Sequence, residues 1–404
     1  MVAAVSTSDA SRQLASPGKG VDGVVRIKMS DGVFGTGGLL YDGRHVLTAR
    51  HLLNTGANAL GTLVTFETER GTWTVGVSEA LGLKSWNATN LQSDLLLLKL
   101  QETAPQDADR YDLYRDQDEI GQSLVMVGYG VSGTGNAGAG SEAASSTLRR
   151  YAENRFDGEM SALKALAGSR LSWSPPTDSQ LWADFDNGLA AQDATRLWTG
   201  QADLGRGSKE GMITPGDSGS PAFVNGQVAG VASYTFTSSA PAGTSDIDAQ
   251  ANSSFGEVAV WQRISSYQQW IDQNVRKAYP NAPTKAEEVK ASVAEGNGGT
   301  SYAYFLVQFH GLRSDAGGIV SVDYTTRDGT AKAGQDYLAT SGTLNLYAEE
   351  SHGVIAVEIL GDTVPEADEV FYLDVTNPVG GSFGEGVVKL TAVRTILNDD
   401  GAWG

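Results

Sequence analysis

The sequence predicts an all-β chain in two parts, a domain of short strands that form a β-barrel or sandwich and end in a helix, and then an antiparallel β-sandwich. Three observations predict it. Residues 24–129 carry short apolar runs punctuated by Asp-Gly turns; residues 263–278 repeat their apolar side chains at a helical period; and residues 289–400 alternate apolar and polar with a period of two.

Residues 1–19 read as a flexible N-terminal tail. Residues 24–29 (Val-Val-Arg-Ile-Lys-Met) form the first strand, an Asp31-Gly32 turn leads to 34–41, and an Asp42-Gly43 turn leads to Val46-Leu47-Thr48, which runs into His51. The series continues at 63–67, 72–77, 95–100 and 123–129. The Gly/Ser/Ala-rich stretch 131–146 has no hydrophobic period and reads as a mobile surface loop, and Asp184-Phe185-Asp186-Asn187-Gly188 as a turn. Another strand is expected at 227–234. Ile264, Tyr267, Trp270, Ile271 and Val275 then mark one face of a helix. Tyr279-Pro280-Asn281-Ala282-Pro283 breaks the pattern as a linker, assigned to 279–286 between domains at 20–278 and 287–401.

The chain has 404 residues, room for two or three domains, and no cysteine, which removes disulfides, thiolate metal sites and cysteine nucleophiles at once. Its formal net charge of -19 argues against nucleic acid as a partner, because such binding rests on neutralising phosphates. No apolar run approaches the ~20 residues of a membrane span. Residues 1–20 are rich in Ala, Ser and Gly and lack the apolar core of a signal peptide.

Three short motifs carry chemistry. In chain order they are Thr48-Ala49-Arg50-His51, Asp94-Leu95-Leu96-Leu97-Leu98 and Gly216-Asp217-Ser218-Gly219-Ser220-Pro221. A hydroxyl is a poor nucleophile at neutral pH, so Ser218 needs an imidazole to take its proton and a carboxylate to orient that imidazole, roles open to His51 and Asp94. An α/β-hydrolase elbow is excluded, since it needs Gly-x-Ser-x-Gly in the order Ser, Asp, His, and here Ser220 replaces the last glycine and the order is reversed.

These motifs resemble the trypsin/chymotrypsin-like proteases, whose Thr-Ala-Ala-His, Asp-Ile-Ala-Leu-Leu and Gly-Asp-Ser-Gly-Gly-Pro they match in order. The resemblance implies a two-barrel β domain closed by a C-terminal helix, and a serine endopeptidase acting through His51, Asp94 and Ser218, with an oxyanion hole formed by the N–H groups of Gly216 and Ser218. It implies that Ser233 supports Asp94, and that Tyr234 and Thr235 hold peptide substrate as an added strand. Met212, six residues before Ser218, falls at the base of the primary pocket, which would favour an apolar or small side chain; an insertion would instead bring in Glu210 or Glu257. Asp217 pairs in zymogen-type members with a new Ile-Val-Gly-Gly terminus, a sequence absent here, so another partner or an unusual terminus is expected. The lack of cysteine points to a bacterial-type member, secreted, cell-surface or periplasmic.

The second part resembles a Calx-β domain through Asp328-Gly329-Thr330-Ala331, Gly334-Gln335-Asp336-Tyr337, Glu366-Ala367-Asp368-Glu369-Val370-Phe371 and Ile396-Leu397-Asn398-Asp399-Asp400. The resemblance places calcium ligands at Glu295, Asp336, Asp362, Glu366, Asp399 and Asp400, with Asn398 and Gly361 standing where family members carry acids. The resemblance thus implies calcium as a cofactor for this domain, none being needed for catalysis; the competing reading of these acids is a solvated rim, and residues 287–401 are a candidate tether to a surface or another protein. The competing function is a catalytically silent, protease-like adhesive or binding protein.

Overall fold

The computed structural model describes residues 3–4, 14–53, 58–140, 148–203, 205–237, 239–240, 243–313 and 318–401. Most of the expected tail (1–2 and 5–13) and residues 141–146 of the expected mobile loop lie outside the described residues. Two compact units are formed, Met1–Gln268 and Gln269–Gly404.

The first unit begins with a closed six-stranded barrel. Its strands are β1 (Val24–Lys28), β2 (Phe34–Leu39), β3 (His45–Thr48), β4 (Leu63–Thr68), β5 (Gly71–Gly82) and β6 (Leu96–Leu100), arranged β1-β2-β3-β6-β5-β4 and closed by β4 on β1. The side-chain period of two decides what fills it. Val25 and Ile27 from β1, Val64 and Phe66 from β4, and Leu96, Leu98 and Leu100 from β6 meet in one core. Registry is fixed across the leucine run, with Thr48 opposite Leu96 and His45 opposite Lys99. A one-residue slip would turn Leu96 and Leu98 out of that core.

The second half of this unit is a seven-stranded antiparallel sheet. Its strands are β7 (Ser123–Gly128), β8 (Arg150–Arg155), β9 (Gln180–Asp184), β10 (Pro221–Val224), β11 (Gln227–Phe236) and β12 (Val258–Arg263), ordered β8-β7-β10-β11-β12-β9, with the short strand Gly158–Glu159 beyond β9. The sheet wraps a core of Leu124, Met126, Phe156, Leu181, Phe185, Met212 and Trp261. Phe156 meets Trp261 edge-to-face at 5.7 Å. The 111–114 segment crosses between the halves: Tyr111 N–H donates to Leu39 O at 3.0 Å and Tyr114 N–H to Val228 O at 3.0 Å.

Two stretches expected to be loose are ordered where they are described. Ala3–Ala4 pairs with Gly211–Met212, and Ala15 N–H donates to Arg149 O at 2.9 Å. Within 131–146, Gly133–Thr134 pairs with Gly138–Ala139 as a small hairpin.

In the second unit, a sandwich is built from β13 (Ser292–Ala294), β14 (Thr300–Gln308), β15 (Val320–Asp328), β16 (Ser341–Leu346), β17 (His352–Leu360), β18 (Glu369–Val379) and β19 (Lys389–Leu397). One sheet runs β13-β19-β18-β15-β16 and the other pairs β14 with β17. Phe305, Tyr337, Val357, Ile359, Phe371 and Ile396 fill the space between them. The helix Gln268–Lys277 lies ahead of the Pro280-Pro283 linker, and its residues are bonded to this sandwich. Tyr347 OH donates to Asp272 at 2.6 Å, and Arg276 grips both oxygens of Glu350 at 2.7 and 2.8 Å. The boundary between units therefore falls at the start of the helix instead of at the prolines, because Asp272 and Arg276 find their partners in the turn between β16 and β17.

Candidate active site and acidic sites

Ser218, His51 and Asp94 come from three separate places in the first unit. A single helical turn, Arg50–Leu52, follows β3 and carries His51; Asp94 stands just before β6; Ser218 stands just before β10. Their side chains form one chain of contacts. His51 Nε2 lies 2.8 Å from Ser218 Oγ, and His51 Nδ1 lies 2.7 Å from Asp94 Oδ2. Asp94 is fully buried and, as a carboxylate, only accepts, so Nδ1 carries the ring proton and Nε2 is left with its lone pair toward Ser218. His51 N–H also donates to Asp94 Oδ1 at 2.8 Å, which fixes the backbone as well as the ring.

Ser233 completes the shell of Asp94 by donating to Oδ2 at 2.5 Å. Its aim comes from a bulge in β11: Ala232 pairs with Trp261 and Tyr234 with Val260, leaving Ser233 between them outside the ladder. The approach to Asp94 is strained. Leu91 and Ser93 take φ of 50° and 55°, unusual for residues with a side chain, and the Leu91 carbonyl is held by the amides of Gln180 (3.1 Å) and Gln262 (3.0 Å).

The loop bearing Ser218 is pinned from the first barrel by Thr36, a fully buried residue of β2. Thr36 N–H donates to Ser218 O and its hydroxyl to Gly216 O, both at 2.9 Å, while Thr48 Oγ1 donates to Thr36 O at 2.6 Å. Only glycine fits at 219: its φ is 85°, and a Cβ there would stand 2.0 Å from Thr48 Oγ1. Gly216 also takes a positive φ, 99°. The N–H groups of Gly216 and Ser218 find no acceptor among the described residues. Thr36→Val is expected to keep the shape of the site but to cost about 1–3 kcal/mol of stability, the penalty for unpairing buried polar groups; chemical denaturation of the two proteins measures it.

Asp217 is buried, and Gly130 and Thr214 are among its donors. Oδ1 accepts Gly130 N–H at 2.8 Å, and Oδ2 accepts Thr214 N–H at 2.9 Å with Thr214 Oγ1 at 3.0 Å. Ser220, where the family motif has glycine, is also buried, and its hydroxyl has no partner among the described residues. Arg50, where the motif has alanine, turns away to donate to Leu53 O at 2.6 Å and to lie over the Trp86 ring.

At one end of the sandwich, Glu295 is buried, and burial together with the charges of Asp362, Glu366, Asp400 and Asp336 pushes its carboxyl up to about 7. Asp336, Glu366 and Glu369 each bring an oxygen within 4.8 Å of the others. Asp399 Oδ1 accepts Gly296 N–H at 3.0 Å, and Asp400 Oδ2 is buried without a partner among the described residues. All six residues expected as ligands thus fall in one region, joined by Glu369, which the family pattern did not mark as a ligand. Its only sequence signal is its place three residues after Glu366, at the first position of β18.

Comparison with known families decides the assignment. Residues 15–158 match the trypsin family model, and residues 287–400 match the Calx-beta domain model. The chain is a trypsin-like protease fold followed by a Calx-beta domain. The trypsin match takes in His51 and Asp94; the segment that bears Ser218 lies beyond it. Among curated relatives, the sodium/calcium exchanger Calx of Drosophila melanogaster is 38% identical over 93 residues, covering 22% of this chain and 9% of its own. Sodium/calcium exchanger 2 of Rattus norvegicus is 38% identical over 94 residues (20% of this chain, 10% of its own), and adhesion G-protein coupled receptor V1 of Danio rerio is 38% identical over 90 residues (22% and 1%). The chain spans a tenth or less of the length of these relatives. A solved structure of mouse neuropsin, titled a serine protease expressed in the limbic system, aligns over 65% of this chain and 97% of its own with a TM-score of 0.46 and 16% identity.

Within the trypsin-like fold the expected substrate residues take differing positions. Tyr234 is held by its hydroxyl, which donates to Gln180 Oε1 at 2.8 Å and accepts from Trp173 Nε1 at 3.0 Å. Tyr234 and Thr235 pair with β12 on one edge only, since the β10 ladder with β11 stops at Val231. Met212 is fully enclosed in the core of the second half. Glu257 is buried too, accepting N–H from Asn252 and Ser254 at 2.8 and 3.0 Å. Glu210 accepts Asp186 N–H at 2.9 Å. Among the described residues no helix is long and apolar enough to cross a membrane.

Proposed function

We propose that the chain is a serine endopeptidase of protein or peptide substrates. The observation that carries this reading is the unbroken series Ser218 Oγ, His51 Nε2, His51 Nδ1, Asp94 Oδ2, with contacts of 2.8 and 2.7 Å. His51 takes the hydroxyl proton as Ser218 attacks the scissile carbonyl, and Asp94 stabilises the imidazolium that forms. The free N–H groups of Gly216 and Ser218 receive the oxyanion, an interaction strongest where charge develops. His51 then returns the proton to the leaving amine, and water, deprotonated by the same nitrogen, hydrolyses the acyl-enzyme. The open edge at Tyr234 and Thr235 takes the substrate backbone as an added strand. The test is digestion of an unbiased peptide mixture by the full chain, with new termini read by mass spectrometry: cleavage is expected, and uncut peptides would favour the silent binding protein.

The Calx-beta domain takes calcium in the same reading. Glu295, Asp336, Asp362, Glu366, Glu369, Asp399 and Asp400 offer only oxygen, which suits a hard cation, and the orphaned Asp400 Oδ2 is the kind of buried acceptor a cation would satisfy. Bound calcium neutralises the mutual repulsion of these groups. The domain tethers a secreted or surface-exposed enzyme to another molecule.

Stability should depend on pH through Glu295. Because the folded state raises its carboxyl from 4.5 to about 7, folded protein binds its proton more tightly than unfolded chain between those values. In calcium-free buffer, stability is therefore expected to increase as pH falls from 8 towards 5, and Glu295→Gln to reduce that gain. With calcium present the trend reverses, since protons compete with the ion. Thermal unfolding of the full chain at pH 5–8, with chelator and with calcium, reads all three.

A further inference from the structure

A second acidic group lies in the trypsin-like unit and shares no residue with the triad. Asp184 ends β9, Asp186 follows it in the turn, and Glu210 comes from the segment just before Gly211; all three are at most 2% exposed. Each offers an oxygen within 4.8 Å of the other two. Oxygens sharing one calcium at 2.3–2.6 Å stand no more than about 5 Å apart, so the spacing fits a common ion.

The surrounding hydrogen bonds do not satisfy every oxygen of the group among the described residues. Asp184 Oδ2 accepts Thr195 N–H at 2.9 Å, Asp186 Oδ1 accepts Gly188 N–H at 2.6 Å, and Glu210 accepts N–H from Asp186 and Arg206. Among the described residues, Asp186 Oδ2 is buried without a partner, and so is the hydroxyl of Thr195, which is not part of the acidic trio. No Lys or Arg side chain bonds any of the three carboxylates among the described residues; Arg155 goes to Asp203 and Asp157, and Arg206 to Glu153. The loop is also tailored to Glu210. Gly205 has φ 64°, and a Cβ there would overlap Glu210 Oε2 at 1.6 Å.

We propose that Asp184, Asp186 and Glu210 form a calcium site in the second half of the trypsin-like unit, tying the end of β9 to the segment that runs through Met212 and Asp217 to Ser218. An uncompensated carboxylate in the interior costs several kcal/mol unless it is paired, protonated or bound to a metal. All-oxygen donors select a hard divalent ion over zinc or copper. Burial, with the neighbouring carboxylates adding to it, pushes Asp186 to about 6 and Glu210 to about 8, so protons are the ion's competitors and binding weakens as the pH falls through this range.

The test uses the full chain with the Calx-beta site weakened by Asp336→Asn and Glu369→Gln, calcium chloride as probe, and isothermal titration with thermal unfolding as readouts. One binding event per chain is expected to remain. Adding Asp186→Asn or Glu210→Gln should weaken it at least tenfold, and the calcium-free Asp186→Asn protein should melt no lower than its parent, because Asp186 Oδ2 has no partner among the described residues and can become the amide NH2 without facing a donor. No binding at millimolar calcium in the parent, or affinity unchanged by both substitutions, would overturn the site. A calcium-free Asp186→Asn protein that misfolds would count against it too, by showing that this carboxylate is already compensated. None of these readouts needs Ser218 to be active, so the endopeptidase reading can fail without affecting the outcome.

Discussion

Replacing Ser218 by alanine is expected to lower kcat for peptide hydrolysis about a millionfold, to the residual rate left by substrate binding and the oxyanion site. The size reflects the geometry. Ser218 Oγ is the atom within 2.8 Å of His51 Nε2, so without it the base has no proton to take and no acyl-enzyme forms. His51→Ala should cost about as much, and the double variant hardly more than either, since the residues act as one unit. The control on folding is built in. Thr36 holds the loop through the backbone oxygens of Ser218 and Gly216, which alanine at 218 leaves in place, so the melting temperature should hardly move.

Asp94→Asn should cost about 10⁴-fold in kcat with little change in KM. The carboxylate accepts from His51 Nδ1, His51 N–H and Ser233 Oγ, and its surroundings supply only donors. A carboxamide must turn its NH2 toward at least one of them. If it faces Nδ1, the imidazole is driven to the other tautomer, with its proton on Nε2 facing Ser218, where a lone pair is needed. Ser233→Ala should have a far smaller effect, because Asp94 keeps both bonds to His51. Separate measurement of kcat and KM, with the melting temperature, distinguishes the two roles: loss of Asp94 should fall on kcat alone, whereas a merely structural loss would also raise KM or lower the melting temperature.

The triad was legible in the sequence because each of its members sits in a short motif whose residue types the chemistry demands. The sandwich was legible because its alternation matches a sheet with one covered face. Thr36 was not, since a threonine in a glycine-rich strand has no local signal; its importance arises only when Gly216, Ser218 and Thr48 arrive from elsewhere in the chain. The Gln268–Lys277 helix was legible from its apolar period, whereas the partners of Asp272 and Arg276 were not, because Tyr347 and Glu350 lie far along the chain. Glu369 was hidden by its strand position, and the Asp184 turn read as a plain turn because Glu210, its third carboxylate, is distant in sequence. Ion sites assembled from separate segments leave no spacing to read.

The central claim is that Ser218 is an activated nucleophile, and a fluorophosphonate probe tests it most directly. Incubated with the full chain and followed by intact-mass and peptide mapping, the probe should add one adduct per molecule at Ser218, with labelling lost in Ser218→Ala and slowed in Asp94→Asn. A folded chain that takes up no probe, or that is labelled equally after Ser218→Ala, would contradict the account.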